Sequence, residues 1–277
     1  MTGPTSGKTM RLPIYQVDAF TDRVFAGNPA AVVPLESWLP DSQLQAIAAE
    51  NNLAETAFFI RSGQGAEGGY ELRWFTPAVE VDLCGHATLA SAFVIATMLE
   101  WGCPRIDFTT RKAGTLGVTR NGDLYTLDFP SRPPEPLAGP PAGLTDALAG
   151  PPPTALLKAR DLVVVYDDEA MVRGLTPDMS ALARLEDFYA VIVTAPGSGG
   201  VDFVSRFFAP AKGIPEDPVT GSAHCTLIPY WAQRLGKERL KARQVSARGG
   251  SLSCELVGDR VKIAGKAVLY MDGAIYI

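Results

Sequence analysis

One stretch of this chain occurs twice. Trp74-Phe75-Thr76-Pro77-Ala78 is followed, five residues later, by Cys84-Gly85-His86-Ala87, and Phe207-Phe208-Ala209-Pro210-Ala211 is followed, eight residues later, by Thr220-Gly221-Ser222-Ala223. Each copy reads as a strand, a turn, a loop and the start of a helix. A chain that repeats such a unit is expected to build two similar lobes, with the two helix starts facing one another across a cleft. The first turn of a helix presents unpaired N–H groups and the positive end of its dipole. A small carboxylate could then be gripped by backbone amides from both sides.

The second copy sits in the polar run Glu216-Asp217-Pro218-Val219-Thr220-Gly221-Ser222-Ala223-His224, which leads into the apolar series Cys225, Leu227, Ile228, Tyr230, Trp231 and Leu235. Both histidines of the protein fall at these two helix starts, as His86 and His224. His86 is the better functional candidate, because His224 sits inside the first helical turn, where lining the helix face serves equally well.

Composition narrows the class of protein. An apolar share of 47% over 277 residues supplies a real core, and a net charge of −5 without a long basic run argues against nucleic acid or an anionic membrane surface as partner. Cys84, Cys103, Cys225 and Cys254 show no CxxC spacing, and Cys84-Gly85-His86 is a poor ligand set, so no metal site is expected. The polar start, Met1 to Met10, has no apolar signal-like core, and the longest apolar stretch, roughly 87–99, is too short to span a bilayer. A soluble cytoplasmic protein with reduced cysteines is the expectation.

Along the chain, residues 1–10 read as a disordered leader, 12–20 and 30–35 as a strand pair around the turn Phe25-Ala26-Gly27-Asn28-Pro29, and the helix started by Pro40-Asp41-Ser42 stops at Asn51-Asn52. Strands are expected at 53–60 and, after a glycine-rich turn, at 70–75. A buried helix over 87–101 follows, and then strands at 106–110, 114–120 and 124–129. The Pro- and Gly-rich 130–153 marks a connection between lobes. The second lobe offers strands at 162–166, 190–194 and 202–208, a short helix at 179–185, and closing strands at 244–248, 251–257 and 260–263, with 267–277 returning toward the first lobe. Within 53–60, Glu55 stands among strongly apolar neighbours. It is either an outward-facing strand residue or a buried carboxyl, whose raised pKa would suit general acid/base chemistry.

Motifs spread over most of the chain carry a resemblance. They are Asp18-Ala19-Phe20, Phe25 to Ala30, Asn52-Leu53-Ala54-Glu55-Thr56-Ala57-Phe58, Asp82 to Thr88, Arg206 to Pro210, Glu216 to His224 and Gln244 to Gly250. In this order the chain resembles the phenazine-biosynthesis PhzF-like proteins, relatives of diaminopimelate epimerase. The resemblance implies an α+β fold of two similar lobes, each a mostly antiparallel β-sheet or barrel wrapped around a central helix. The lobes would span 11–129, joined by 267–277, and 130–266, with a homodimer as the common assembly. It further implies isomerisation of a small carboxylic acid without cofactor or metal. Glu55 matches the proton-shuttling glutamate; His86, Asp217 and Ser222 match residues that hold and polarise substrate, and the amides around Gly85, Gly221 and Ser222 would bind its carboxylate.

One departure matters. Diaminopimelate epimerase uses a cysteine in each lobe as paired thiol bases, whereas here Cys84 is matched by Thr220, whose hydroxyl is too weak an acid to serve as a free base. A single carboxylate that removes a proton from one carbon and returns it to another is the chemistry that remains. Two other readings stay open: a racemase or epimerase with Cys84 as second base, and a carboxylate-binding protein without turnover. A Cys84/His86 thiol hydrolase lacks an orienting third group.

Overall fold

The computed structural model describes residues 9–63, 69–185 and 187–277. The expected leader lies outside the described residues up to residue 8, as does the glycine-rich turn at 64–68.

The duplication is plainest in the strand ladder. In the first lobe Arg11–Ala19 pairs antiparallel with Asn28–Leu35, which runs parallel to Glu55–Arg61. Glu55–Arg61 is antiparallel to Tyr70–Phe75, and Tyr70–Phe75 is parallel to Arg105–Thr110. Antiparallel steps through Thr115–Asn121 and Leu124–Pro130 complete the set. In the second lobe Ala155–Lys158, Leu162–Val165, Val191–Pro196, Phe203–Ala209, Arg239–Gln244, Gly250–Val257 and Arg260–Gly265 repeat that order of antiparallel and parallel steps without change. Leu124–Pro130 pairs with Arg260–Gly265 to join the two ladders, and Ala267–Tyr276 pairs along Arg11–Ala19.

Each parallel step needs a crossover, and one crossover per lobe is a central helix. Gly85–Val94 is buried at every residue except Phe93, as its all-round apolar sequence requires. It continues only as a π-helical turn, Ile95–Leu99, in which the Glu100 N–H reaches back five residues to the Ile95 carbonyl at 2.7 Å. The helix expected to run to Trp101 therefore stops short, and Trp101 is 83% exposed. The other central helix, Gly221–Leu235, contains Pro229, which has no N–H to give the Cys225 carbonyl. That carbonyl is taken instead by the backbone N–H of Arg132, at 2.8 Å, from the connection between the lobes. The connection also contains a two-residue strand, Glu135–Pro136, and a short helix, Leu144–Leu148.

Side-chain alternation decides what faces the central helices. Ala30 and Val32 lie in the main core around them, whereas Ala31, Val33 and Leu35 pack outward under the helix Asp41–Asn51. Asn28–Leu35 is thus buried on both faces, as its near-continuous apolar sequence demands. The strand expected at 244–248 is corrected. The alternating residues are Arg239–Gln244, and beyond them the chain turns so that Arg248 donates to Asp18 Oδ1 at 2.7 Å and to the carbonyls of Ala26 and Gly27.

Both central helices begin at the same place. A Cβ built on Gly85 would lie 3.2 Å from the Cα of Gly221, and the converse holds at the same distance. A side-chain carbon at either position would be a few tenths of an ångström closer than an ordinary contact allows. Gly221→Ala is therefore expected to force the lobes apart and to lower unfolding free energy by about 1–3 kcal/mol, which chemical denaturation would measure. His224, one turn further along, is buried beside Phe203 with its Nδ1 donating to the Thr220 carbonyl at 2.8 Å. Burial depresses its pKa to about 4. The unfolded chain binds this proton near pH 6.5 and the folded protein does not, so stability present above pH 6.5 is lost as pH falls toward 4. Roughly 3 kcal/mol is at stake. The slope of unfolding free energy between pH 4.5 and 6.5 should shrink in His224→Leu.

Candidate active site

Strand register brings the polar residues together. Glu55 shares its face with Ala57 and Phe59, which lie in the core around the central helices, so its carboxyl points inward and is buried. The outward-facing reading of Glu55 is excluded by this alternation. Asn28 shares its face with Ala30 and Val32 and is fully buried. Asp217 pairs with Phe207, another core residue, and is buried as well.

Glu55, Cys84, Gly85, His86, Asp217, Gly221 and Ser222 line one cleft, together with Arg160 and Tyr189. The cleft is small, about 60 Å³. His86 Nε2 lies 3.2 Å from Glu55 Oε2, yet the two are misaligned, and each of these buried atoms lacks a hydrogen-bond partner. On its other edge His86 Nδ1 meets Asn28 Nδ2 at 3.0 Å and Cys84 Sγ at 3.5 Å. Burial works against a charged imidazole, but the Glu55 carboxylate beside Nε2 offsets it and holds His86 above the usual histidine range. Nε2 then carries a proton facing the glutamate.

Asp217 is pushed up to about 6, chiefly by burial, with Glu55 adding to the rise and His86 opposing it. Its carboxyl accepts from Asn28 Nδ2 at 2.8 Å on one oxygen and from the Thr220 hydroxyl on the other. Gln244 supports this corner, accepting the Thr220 N–H at 2.9 Å and donating to the Asp217 carbonyl at 2.7 Å. Threonine is a good helix N-cap, but Thr220 spends its hydroxyl on Asp217, and neither Cys84 nor Thr220 caps its helix through its side chain. The first-turn amides thus remain open to an anion.

Burial and the nearby Glu55 charge raise the Cys84 thiol to about 11, so it is protonated at neutral pH. Among the described residues, Glu55, Cys84 and His86 form a group whose ligand atoms lie within 4.8 Å of one another, and it would suit a soft cation only after losing the thiol proton.

Arg160 enters at the cleft mouth. Buried Asp161 binds it through Nε and Nη2, both at 3.1 Å, Tyr189 stacks on it at 4.4 Å, and Nη2 reaches Ser222 Oγ at 3.3 Å. The sequence reading placed the glutamate, both helix starts, His86 and Asp217, and these do converge, while His224 lies in the core. It gave no role to Asn28, Gln244, Arg160 or Tyr189. The first two stand inside motifs already singled out, whereas Arg160 and Tyr189 carry no local signal.

The sequence profile of the phenazine biosynthesis-like protein family (PhzC-PhzF) matches residues 17–273. An uncharacterized isomerase of Pseudomonas aeruginosa is 54% identical over 268 residues, covering 97% of this chain and all of the relative. A human phenazine biosynthesis-like domain-containing protein is 40% identical over 289 residues, covering 96% and 99%. Among solved structures, a PhzF-family phenazine biosynthesis protein of Enterococcus faecalis superposes with a TM-score of 0.91 at 49% identity, covering 97% of this chain and all of that one. A hydroxyproline epimerase of Agrobacterium vitis shares the fold at a TM-score of 0.60 and 11% identity, over 96% of this chain and 93% of that one. The chain belongs to the phenazine biosynthesis-like family and is an enzyme of the isomerase class.

Proposed function

We propose that this enzyme relocates a proton within a small, conjugated carboxylic acid, with Glu55 as the only acid/base at the reacting carbons. What carries this reading is the pair of buried, unpartnered atoms, Glu55 Oε2 and His86 Nε2, facing the cleft beside two uncapped helix starts. The carboxylate of the substrate sits against the amides of Gly85, Gly221 and Ser222. Glu55 takes a proton from one carbon, and the bond pair moves into the conjugated system toward the clamped carboxylate. The same carboxyl then returns the proton to a second carbon on that face, so atoms and charge balance without an external oxidant or reductant. His86 and Asp217 hold and polarise the substrate, and Asp217, poised near 6, can be charged or neutral close to neutral pH.

The Cys84 contact with His86 Nδ1 supports a second reading, racemisation with Cys84 as partner base. A thiol raised to about 11 is scarcely ionised at neutral pH and so supplies little base to work opposite Glu55.

Proton NMR in deuterated water, against small amino and hydroxy acids including dihydroaromatic ones, tests both. Glu55→Gln is expected to lower exchange by ~10²–10⁴-fold with folding intact, while Cys84→Ala costs less than about tenfold. Full activity in the glutamine variant would sink the proposal, and abolition in Cys84→Ala would favour the racemase. Arg160→Met should raise KM by about tenfold with kcat little changed, because Arg160 approaches the carboxylate side of the clamp rather than Glu55.

A further inference from the structure

Asn28 has a shortage of hydrogens. Its side-chain Nδ2 carries two, and three acceptors lie within reach: Asp217 Oδ1 at 2.8 Å, the Val219 carbonyl at 2.9 Å and His86 Nδ1 at 3.0 Å. All of this is buried, and the Asn28 Oδ1 has no partner. Turning the amide over would not repair the count, since its oxygen would then face the Val219 carbonyl and the Asp217 carboxyl. Asp217 and Val219 belong to the second lobe, whereas Asn28 and His86 belong to the first. One amide therefore links the two sides of the cleft, and it cannot satisfy all its neighbours at once.

We propose that Asn28 is a positioning residue that couples His86 to Asp217, so that the charge on the aspartate of one lobe sets the proton arrangement on the imidazole of the other. When Asp217 is ionised it claims one hydrogen, the Val219 carbonyl holds the second, and His86 Nδ1 is left without a donor from Asn28 and open to a proton of its own. When Asp217 is protonated its oxygen becomes a weaker acceptor, and the released hydrogen turns to His86 Nδ1. This favours loss of the Nδ1 proton and leaves the one on Nε2, toward Glu55. The groups facing His86 are Glu55, Cys84 and Asn28; those facing the Asp217 carboxyl are Thr220 and Asn28, with Gln244 on its main chain. Thr220 bonds the carboxyl oxygen that Asn28 does not, so it cannot take over the exchange.

The protein has only two histidines, which makes the test clean. In full-length protein labelled with ¹⁵N-histidine and ¹³C-carboxyl aspartate, the His86 Nδ1 resonance should show an inflection at the pH where Asp217 titrates. Asn28→Leu and Asn28→Ser should each lose that inflection while His224, whose Nδ1 is held by Thr220 instead, keeps its wild-type resonances as the fold control. Persistence of the inflection in a folded Asn28 variant overturns the proposal, because a through-space charge effect would survive the loss of the amide. If neither variant keeps the His224 signature, the Asn28 side-chain Nδ2 resonance of the unmutated protein decides: it must inflect at the pH where Asp217 titrates, and a resonance that stays flat there overturns the coupling. The consequence for turnover rests on the isomerase reading above, but the titration is recorded without substrate. Failure of Glu55-dependent exchange therefore leaves the coupling standing, and failure of the coupling leaves Glu55 as the base.

Discussion

Two helix starts in van der Waals contact are the constraint from which the rest of the site follows. Each brings roughly half a positive charge, and placing like poles 3–4 Å apart is unfavourable unless something negative lies between or beside them. The acidic groups Glu55 and Asp217 around the junction meet part of that demand.

The frame is symmetric, but its contents are not. Through the pairing registers, Ala57 and Ile192 face Trp74 and Phe207, which occupy matching places in the repeat. Counting back two residues along each strand matches Glu55 of the first lobe with Ala190 of the second, and in the short strands Glu80–Val81 and Ile214–Asp217 the partners of Trp74 and Phe207 match Val81 with Asp217. Cys84 is likewise matched by Thr220 and His86 by Ser222. One lobe thus holds the glutamate and imidazole, the other the aspartate, hydroxyls and arginine. A duplicated scaffold with a base on both sides suits inversion at one carbon; a base on one side alone suits transfer between carbons on one face.

Much of this was legible in the sequence because the repeat preserves the local signals of a turn and a glycine helix start, which depend on near neighbours. Glu55 was ambiguous from its neighbours alone, since an apolar run that is buried on both faces shows no alternation to read. The pairing of Ala30 with Glu55 and of Val32 with Ala57, on the face toward the main core, settled it. Asn28 and Gln244 stood in recognisable motifs, yet their work is done by contacts to residues some 190 and 24 positions away, which no local pattern encodes. Arg160 was invisible for a related reason: its neighbour Asp161 looks like a surface ion-pair partner until the fold buries it. The misplaced strand at 244–248 arose because a turn held by a distant aspartate, Asp18, has no signature of its own.

The return of Ala267–Tyr276 to Arg11–Ala19 bears on how the protein is made. The first lobe has its other strands within residues 11–130, but the strand that covers Arg11–Ala19 along its length follows the whole second lobe in the sequence. Until then that edge offers unpaired N–H and C=O groups to any neighbouring chain. The nascent first lobe must wait, with an open edge, through the synthesis of the entire second lobe. Completion of the first lobe is thereby tied to synthesis of the second, and the stretch in between is where a chaperone or a premature pairing has its opportunity.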